Sequence, residues 1–319
     1  MQIWKKMLSG AMAGVMALSL TACVNQHPDA DISTADDPAP QTEETRIIAT
    51  SNATLQICDR LGLDLIAIPT TTGEVPERYQ GLPEIGTAMA PDAEQIALLE
   101  PTDIIGPDTL AETIEPTYQA SGVPYTWIDL QSVQGMYDSI AMLGEKYGKQ
   151  TEADALIAAY KETLAAFRGD IEGVEPPKVL MLMGLPGAYI ECTPNSYAGS
   201  LIDLAGATNV VQVEDEMNFV SWNTEELLAL DPDVILLTAH GLPDLAMEMF
   251  AEEFSTNDIW KHFRAVENGQ VYQLDYQIFG MSCTFEWSMA LETLNGILYD
   301  KTVTAYDAEA AYEANESGT

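Results

Sequence analysis

The sequence predicts an α/β protein of two Rossmann-like lobes joined by one long helix, with a ligand cleft between the lobes. Three observations carry this expectation. Short apolar runs alternate with helical periodicity across residues 46–130, and the alternation restarts at 176, the pattern of parallel α/β layers. Residues 131–175, between the two, read as helix alone. In the second lobe, Asp233-Val-Ile-Leu-Leu-Thr-Ala-His240 is an unbroken apolar run closed by Gly241-Leu-Pro243, which reads as a strand buried on both faces. Ligands of open α/β sheets bind just beyond the carboxyl ends of such strands, so His240 stands where a ligand is expected. Of the other two histidines, His27 lies in a polar stretch and His262 in an amphipathic helix, where a structural role suffices.

Residues 1–22 read as an export signal. Lys5 and Lys6 form its positive start, and Met7 to Leu20 is apolar but short for a membrane span. It closes on Leu20-Thr21-Ala22-Cys23, which resembles a bacterial lipobox, so Cys23 is expected to become the lipidated first residue. Residues 23–45 are rich in Asp, Pro, Thr and Ala without apolar periodicity and read as a disordered tether. At the other end, 301–319 reads as a similar acidic tail. About 255 residues remain between them, enough for one large or two medium cores.

Within 46–130, Arg46 to Thr50 is a first strand, Asn52 to Leu61 a helix and Asp64 to Ile68 a second strand. Asp92 to Leu99 is a helix with Asp92 as N-cap and Gln95 at the capping-box position. It leads into a strand at Asp103–Ile105, a helix over 111–121 and a strand over 124–128. The link comprises helices over 133–147 and 151–171. In the second, Ala153, Leu156, Ile157, Tyr160, Leu164 and Phe167 recur at helical spacing, and its length is roughly 30 Å, the width of a small domain and a stiff hinge. In 176–300, strands are expected at 178–183, 234–238 and 271–274, with helices at 200–204 and 225–230. The two lobes echo one another: Glu94-x6-Pro101 before Asp103-Ile-Ile matches Glu225-x6-Pro232 before Asp233-Val-Ile-Leu. Each lobe thus presents one carboxylate early in a helix that ends at a proline before a buried strand.

The whole chain carries 13 basic and 50 acidic side chains, a formal charge of −37, and two of the basic ones lie in the signal. Such a field repels nucleic acid and anionic membrane surfaces, so neither is an expected partner beyond a lipid anchor. Any anionic ligand must be met by a few local donors. The remaining cysteines, Cys58, Cys192 and Cys283, form no CxxC; Cys58 reads as core, and Cys192 and Cys283 are open to pairing.

Five segments, in order and spacing, resemble the helix-linked substrate-binding lipoproteins of ABC importers for haem, siderophores and cobalamin, and within them the haem-binding group of iron-regulated surface systems. They are Gly86-Thr-Ala-Met89-Ala-Pro-Asp92, Leu182-Met-Gly-Leu-Pro-Gly187, Ala239-His-Gly-Leu-Pro-Asp244, Thr256-Asn-Asp-Ile-Trp-Lys-His-Phe263 and Phe279-Gly-Met281. The resemblance covers residues 46–300. It implies haem as cargo, iron held by Met89 from the first lobe and His240 from the second, an extracytoplasmic lipid-anchored monomer without enzymatic activity, and a permease and ATPase complex as partner. Glu94 and Glu225 would then dock the two lobes on the permease. For the haem propionates, Thr50, Ser51, Asn52 and Ala53 open the first helix and offer N–H groups, and Arg78 is the expected side-chain donor. The loop before Met89 departs from the family in having Gly73 where a lysine is usual. Met181, Met183, Tyr189, Phe279 and Met281 are expected around the disc.

Met and His are both good axial ligands, and a methionine between two alanines on a loop is unlike a core methionine. A ferric siderophore or a cobalamin is the alternative cargo. A surface enzyme finds no support: the chain lacks G-x-S-x-G, H-E-x-x-H and P-loop motifs.

Overall fold

The computed structural model describes residues 45–317, which belong to one compact unit. The expected signal, the lipidation site Cys23 and most of the tether lie outside the described residues. Among the described residues no helix is long and apolar enough to cross a membrane.

The first lobe is built from β1 (Ile47–Ala49), α1 (Asn52–Arg60), β2 (Leu65–Ala67), the short strands β3 (Gly86–Thr87) and β4 (Ala90–Pro91), α2 (Ala93–Leu98), β5 (Asp103–Pro107), α3 (Ala111–Ser121) and β6 (Tyr125–Ile128). Its main sheet has the order β2-β1-β5-β6 and is parallel throughout. Every residue of β1 and β5 is buried, which is why their sequences are apolar without alternation.

The link is a pair of packed helices, α4 (Val133–Lys146) and α5 (Gln150–Asp170). Ser132 caps α4 by accepting from the Gly135 N–H. Ala153, Tyr160 and Leu164 are buried, and Leu156, Ile157 and Phe167 pack at their margin, the face that periodicity predicts.

The second lobe follows as β7 (Lys178–Leu185), β8 (Ala188–Cys192), α6 (Tyr197–Leu204), β9 (Thr208–Asn209), β10 (Phe219–Val220), α7 (Thr224–Ala229), β11 (Val234–Ala239), α8 (Pro243–Thr256), α9 (Arg264–Glu267), β12 (Val271–Gln273), α10 (Trp287–Leu298) and α11 (Ala308–Ser317). Its sheet, in the order β10-β8-β7-β11-β12 with β9 beside β7, is mixed rather than parallel, because β8 runs antiparallel to β7 and to β10. The Pro186-Gly187 turn permits this hairpin; Gly187 has φ 80°, which glycine adopts at no steric cost. As expected, all six residues of β11 are buried between parallel neighbours. The acidic terminal stretch is helical at α11, which packs along α8, with the Tyr306 N–H donating to the Val271 carbonyl.

The sequence echo has a structural counterpart. α2 and α7 are each six residues long, capped by Asp92 and Asn223. Each is followed by a non-glycine residue in the left-handed region, Glu100 at φ 46° and Asp231 at φ 49°, and then by Pro101 or Pro232. An arginine holds each strained carbonyl: Arg46 Nε donates to Glu100 O at 3.0 Å, and Arg264 Nη2 to Asp231 O at 3.2 Å. The reciprocal capping box forms in α7, through Glu226, whereas Asp92 caps α2 on its own.

The lobes do not have separate cores. One buried cluster runs from Ile47 and Leu55 through Met136, Tyr137 and Tyr160 to Met183, Phe279 and Trp287. The Trp287 indole donates to Tyr137 OH at 3.1 Å, and Tyr137 stacks on Tyr160 with centroids 4.3 Å apart. A second core lies between the second sheet and α8, and a third behind the first sheet.

Candidate ligand-binding cleft

The carboxyl ends of β1, β2 and β5 lead into loops that face the carboxyl end of β12 and the loop after it, with ties between them. Thr109 Oγ1 and Ser282 Oγ are 2.9 Å apart, and the Cys283 N–H donates to Leu130 O at 2.8 Å. Beside these ties lies a cavity of about 730 Å³, within the usual range of small-molecule sites. One face of α1 forms part of its wall through Asn52, Ala53, Gln56, Ile57 and Arg60. Thr71 to Glu74 extend that side, and residues 275–278 and 283–286 come from the other lobe.

Met89 is the second residue of the two-residue turn between β3 and β4, where Thr87 pairs with Ala90. Its side chain is 58% exposed, a display that core packing does not explain. Gly86 makes the hairpin possible: at φ 92°, a Cβ there would lie 2.5 Å from the Ala90 carbonyl, and the Asp92 N–H closes the base on Ile85 O at 2.7 Å.

His240 leaves β11 with its N–H donating to Gly184 O at 2.9 Å. The chain then turns through Gly241 and Leu242, both at positive φ, into α8. The imidazole is exposed at its rim and makes no hydrogen bond among the described residues. Burial of its remainder still holds it below the usual histidine range, because a low-dielectric surround disfavours the imidazolium. At neutral pH the side chain therefore offers a free neutral nitrogen, the form that ligates metals.

Other expected site residues divide. Asn52 and Ala53 line the cavity, as the first two residues of α1, whose N–H groups no helical carbonyl can reach. Thr50 and Ser51 are buried beneath it: the Thr50 hydroxyl receives Tyr118 OH at 2.5 Å, and Ser51 Oγ caps α1 through the Thr54 N–H at 3.1 Å. Met281 is half-buried against the core that both lobes share.

Several expectations need correction. Met89, His240 and Arg78 are all absent from the residues lining the cavity; unlike the first two, Arg78 is engaged elsewhere, its guanidinium pairing with Asp64 at 2.6 Å and lying over the Tyr79 ring. Met181, Met183 and Phe279 are fully buried core residues; the two methionines lie on β7, which is covered on both faces, and Phe279 joins the core from the loop after β12. Tyr189 points into the opposite core, its ring 5.9 Å from Phe250 and 6.2 Å from Trp260. His262 ends a 3-10 helix rather than an amphipathic α-helix and is exposed. Cys192 and Cys283 are separate buried thiols, both pushed up in pKa by burial.

Arg60, Thr284 and Phe285 line the cavity without having been expected there. A sequence signal existed for Arg60, which shares a face with Asn52 and Gln56 at helical spacing. Thr284 and Phe285 come from a loop, whose path no periodicity reveals. Glu94 and Glu225 are exposed, each the second residue of its capped helix.

A family model described as periplasmic binding protein matches residues 47–278. The high-affinity heme uptake system protein IsdE of Staphylococcus aureus (strain Newman) is 35% identical over 272 residues, 84% of this chain and 91% of that one. The crystal structure of S. aureus IsdE complexed with heme superposes with TM-score 0.75 at 36% identity, covering 80% of this chain and 99% of that one. An ABC transporter substrate-binding protein from Listeria monocytogenes EGD-e gives TM-score 0.77 at 36% identity, over 81% and 100% of the two chains.

Proposed function

The chain belongs to the periplasmic binding protein family, and we propose from that premise that it carries haem outside the cytoplasm and delivers it to the permease of an ABC importer. The observation that supports this most is the display of two unpaired iron ligands: Met89 at the tip of a hairpin in the first lobe and His240 at a strand end in the second. A thioether and a neutral imidazole form one of the axial pairs that haem proteins use. With both axial positions filled, the iron has no open site for oxygen or peroxide, which suits carriage rather than catalysis. Thioether is the weaker ligand and the natural point of release.

The same reading gives Cys23 as the lipid anchor, the following residues as a tether and the protein as a monomer. Glu94 and Glu225 become the carboxylates that meet basic pockets on the permease. The alternative cargo, an anionic ferric siderophore, calls for several cations, whereas Arg60 is the one cationic side chain among the described residues lining the cavity.

The test is a spectroscopic titration of the signal-free protein. We expect one Soret band that saturates at a single equivalent of haem with a low-spin pattern. Saturation at two equivalents, or a spectrum like that of free haemin, would overturn the reading.

A further inference from the structure

We propose that Arg60 is the anion anchor of the cleft, the group that meets a propionate of the bound tetrapyrrole. The inference rests on the haem reading above and assigns that site a residue that neither the sequence expectation nor the likeness supplied.

The first argument is availability. Three of the four arginines in the lobes are engaged: Arg46 with the carbonyls of Leu99 and Glu100, Arg78 with Asp64, and Arg264 with Asp231 and Asp233. Arg60 makes no ion pair or hydrogen bond among the described residues. Its guanidinium lies over the Phe285 ring at 4.6 Å from the centroid. Stacking occupies the face of the group and leaves its in-plane N–H donors open to a carboxylate.

The second argument is what surrounds it. The cavity is lined by the carboxylates Glu74, Asp275 and Glu286 and by no cation other than Arg60. Without this arginine an anionic ligand edge would meet only negative charge. Two further lining residues hold buried oxygens with no partner, Asn52 Oδ1 and Thr284 Oγ1. A buried polar atom without a partner is costly and rare; a ligand carboxylate that accepts from the Thr284 hydroxyl would give that group its partner, whereas Asn52 Oδ1 is an acceptor that only a ligand donor can satisfy. Gly73 belongs to the same arrangement: a Cβ there would lie 2.7 Å from Asn52 Nδ2, so a larger residue would displace the amide from the cavity wall.

The third argument is mechanical. Arg60 ends α1 in the first lobe and Phe285 belongs to the second, so the stacked pair spans the cleft. A ligand carboxylate bound to Arg60 is therefore held at the joint between the lobes.

The experiment compares haem with its propionate dimethyl ester in wild type, Arg60→Ala, Arg60→Lys and Arg78→Ala, each first shown to be folded by its thermal transition. Arg60→Ala is expected to weaken haem by about tenfold or more, the scale of a lost charge-assisted hydrogen bond. Its low-spin bands should persist because the iron ligands are untouched. The ester should bind wild type and Arg60→Ala alike, Arg60→Lys should recover part of the loss, and Arg78→Ala should match wild type. Equal losses for haem and ester, no loss at all, or a loss confined to Arg78→Ala would overturn the anchor while leaving the haem reading intact. A wild-type protein that gives no ligated-iron spectrum would overturn the haem reading, and the anchor with it.

Discussion

In the proposed site, His240 and Met89 would approach the iron from backbones of different stiffness. His240 continues a strand buried on both faces and is tied to Gly184, whereas Met89 sits on a two-residue turn between two-residue strands. The imidazole is also the stronger donor. His240→Ala should therefore lose the low-spin spectrum and most of the affinity. Met89→Ala should still bind haem, because burying an apolar disc yields several kcal/mol at about 25 cal/mol per Å², but with bands moved toward high spin. The reverse order in a paired titration would sink the ligand assignment. Gly86→Ala should mimic Met89→Ala, since a Cβ there collides with the hairpin that presents the thioether. Away from the cleft, Glu191 is fully buried, with one oxygen accepting from the Trp222 N–H and the other unpartnered. Burial raises its pKa from 4.5 to about 7. The folded state then binds a proton that the unfolded state releases, so this group's contribution is favourable at low pH and is lost as pH rises from about 4.5 through about 7. Glu191→Gln should be more stable than wild type at pH 8, by up to about 3 kcal/mol, with the difference vanishing near pH 4. A constant difference across urea melts at the two pH values would refute the linkage.

The short helices α2 and α7 present Glu94 and Glu225 in matching surroundings: a side-chain cap ahead, an arginine-held carbonyl behind, a proline and then a buried strand. Neither carboxylate lines the cavity. If both dock the permease, Glu94→Ala with Glu225→Ala should abolish haem uptake by cells while leaving haem binding by the purified protein near wild type. Uptake that survives the double substitution would reduce the echo to a shared way of joining helix to strand. This motif was legible in the sequence because proline, an early Glu and an apolar run are local signals. Strands of two residues are not: β3 and β4 exist through Gly86 and two registered pairs, Gly86 with Pro91 and Thr87 with Ala90, too short for alternation to register. β8 escaped for another reason. Its Tyr189 and Glu191 face one core and Ile190 the other, so no single polar face marks it. Among the candidate ligands, Met89 and His240 stood out because each falls where its residue type is unusual. Arg78 misled because a loop arginine near the expected site is visible in sequence, and its partner Asp64, fourteen residues earlier, is not.

At the scale of the molecule, two lobes and a helical link were legible, but their fusion was not. Periodicity shows which face of α5 is apolar without showing what covers it. The structure places Tyr160 against Tyr137 and Trp287, side chains from the link and from the last third of the chain. The resulting core passes from the first sheet through the link to the second, and the Cys283 and Ser282 ties close it near the cleft. A chain whose lobes share one core has no boundary at which half of it can unfold without exposing the other half. We therefore expect a single calorimetric transition for residues 45–317, with calorimetric and van't Hoff enthalpies equal. Trp287→Ala, which removes the side chain at the crossing, should cost about 3–5 kcal/mol and separate the lobes into two transitions. Trp260→Ala, equally buried but within the second lobe's outer core, should lower stability by a comparable amount and keep one transition. Two transitions in the wild type, or the same thermogram shape for both tryptophan variants, would mean that the link is a hinge between independent lobes and not part of a common core.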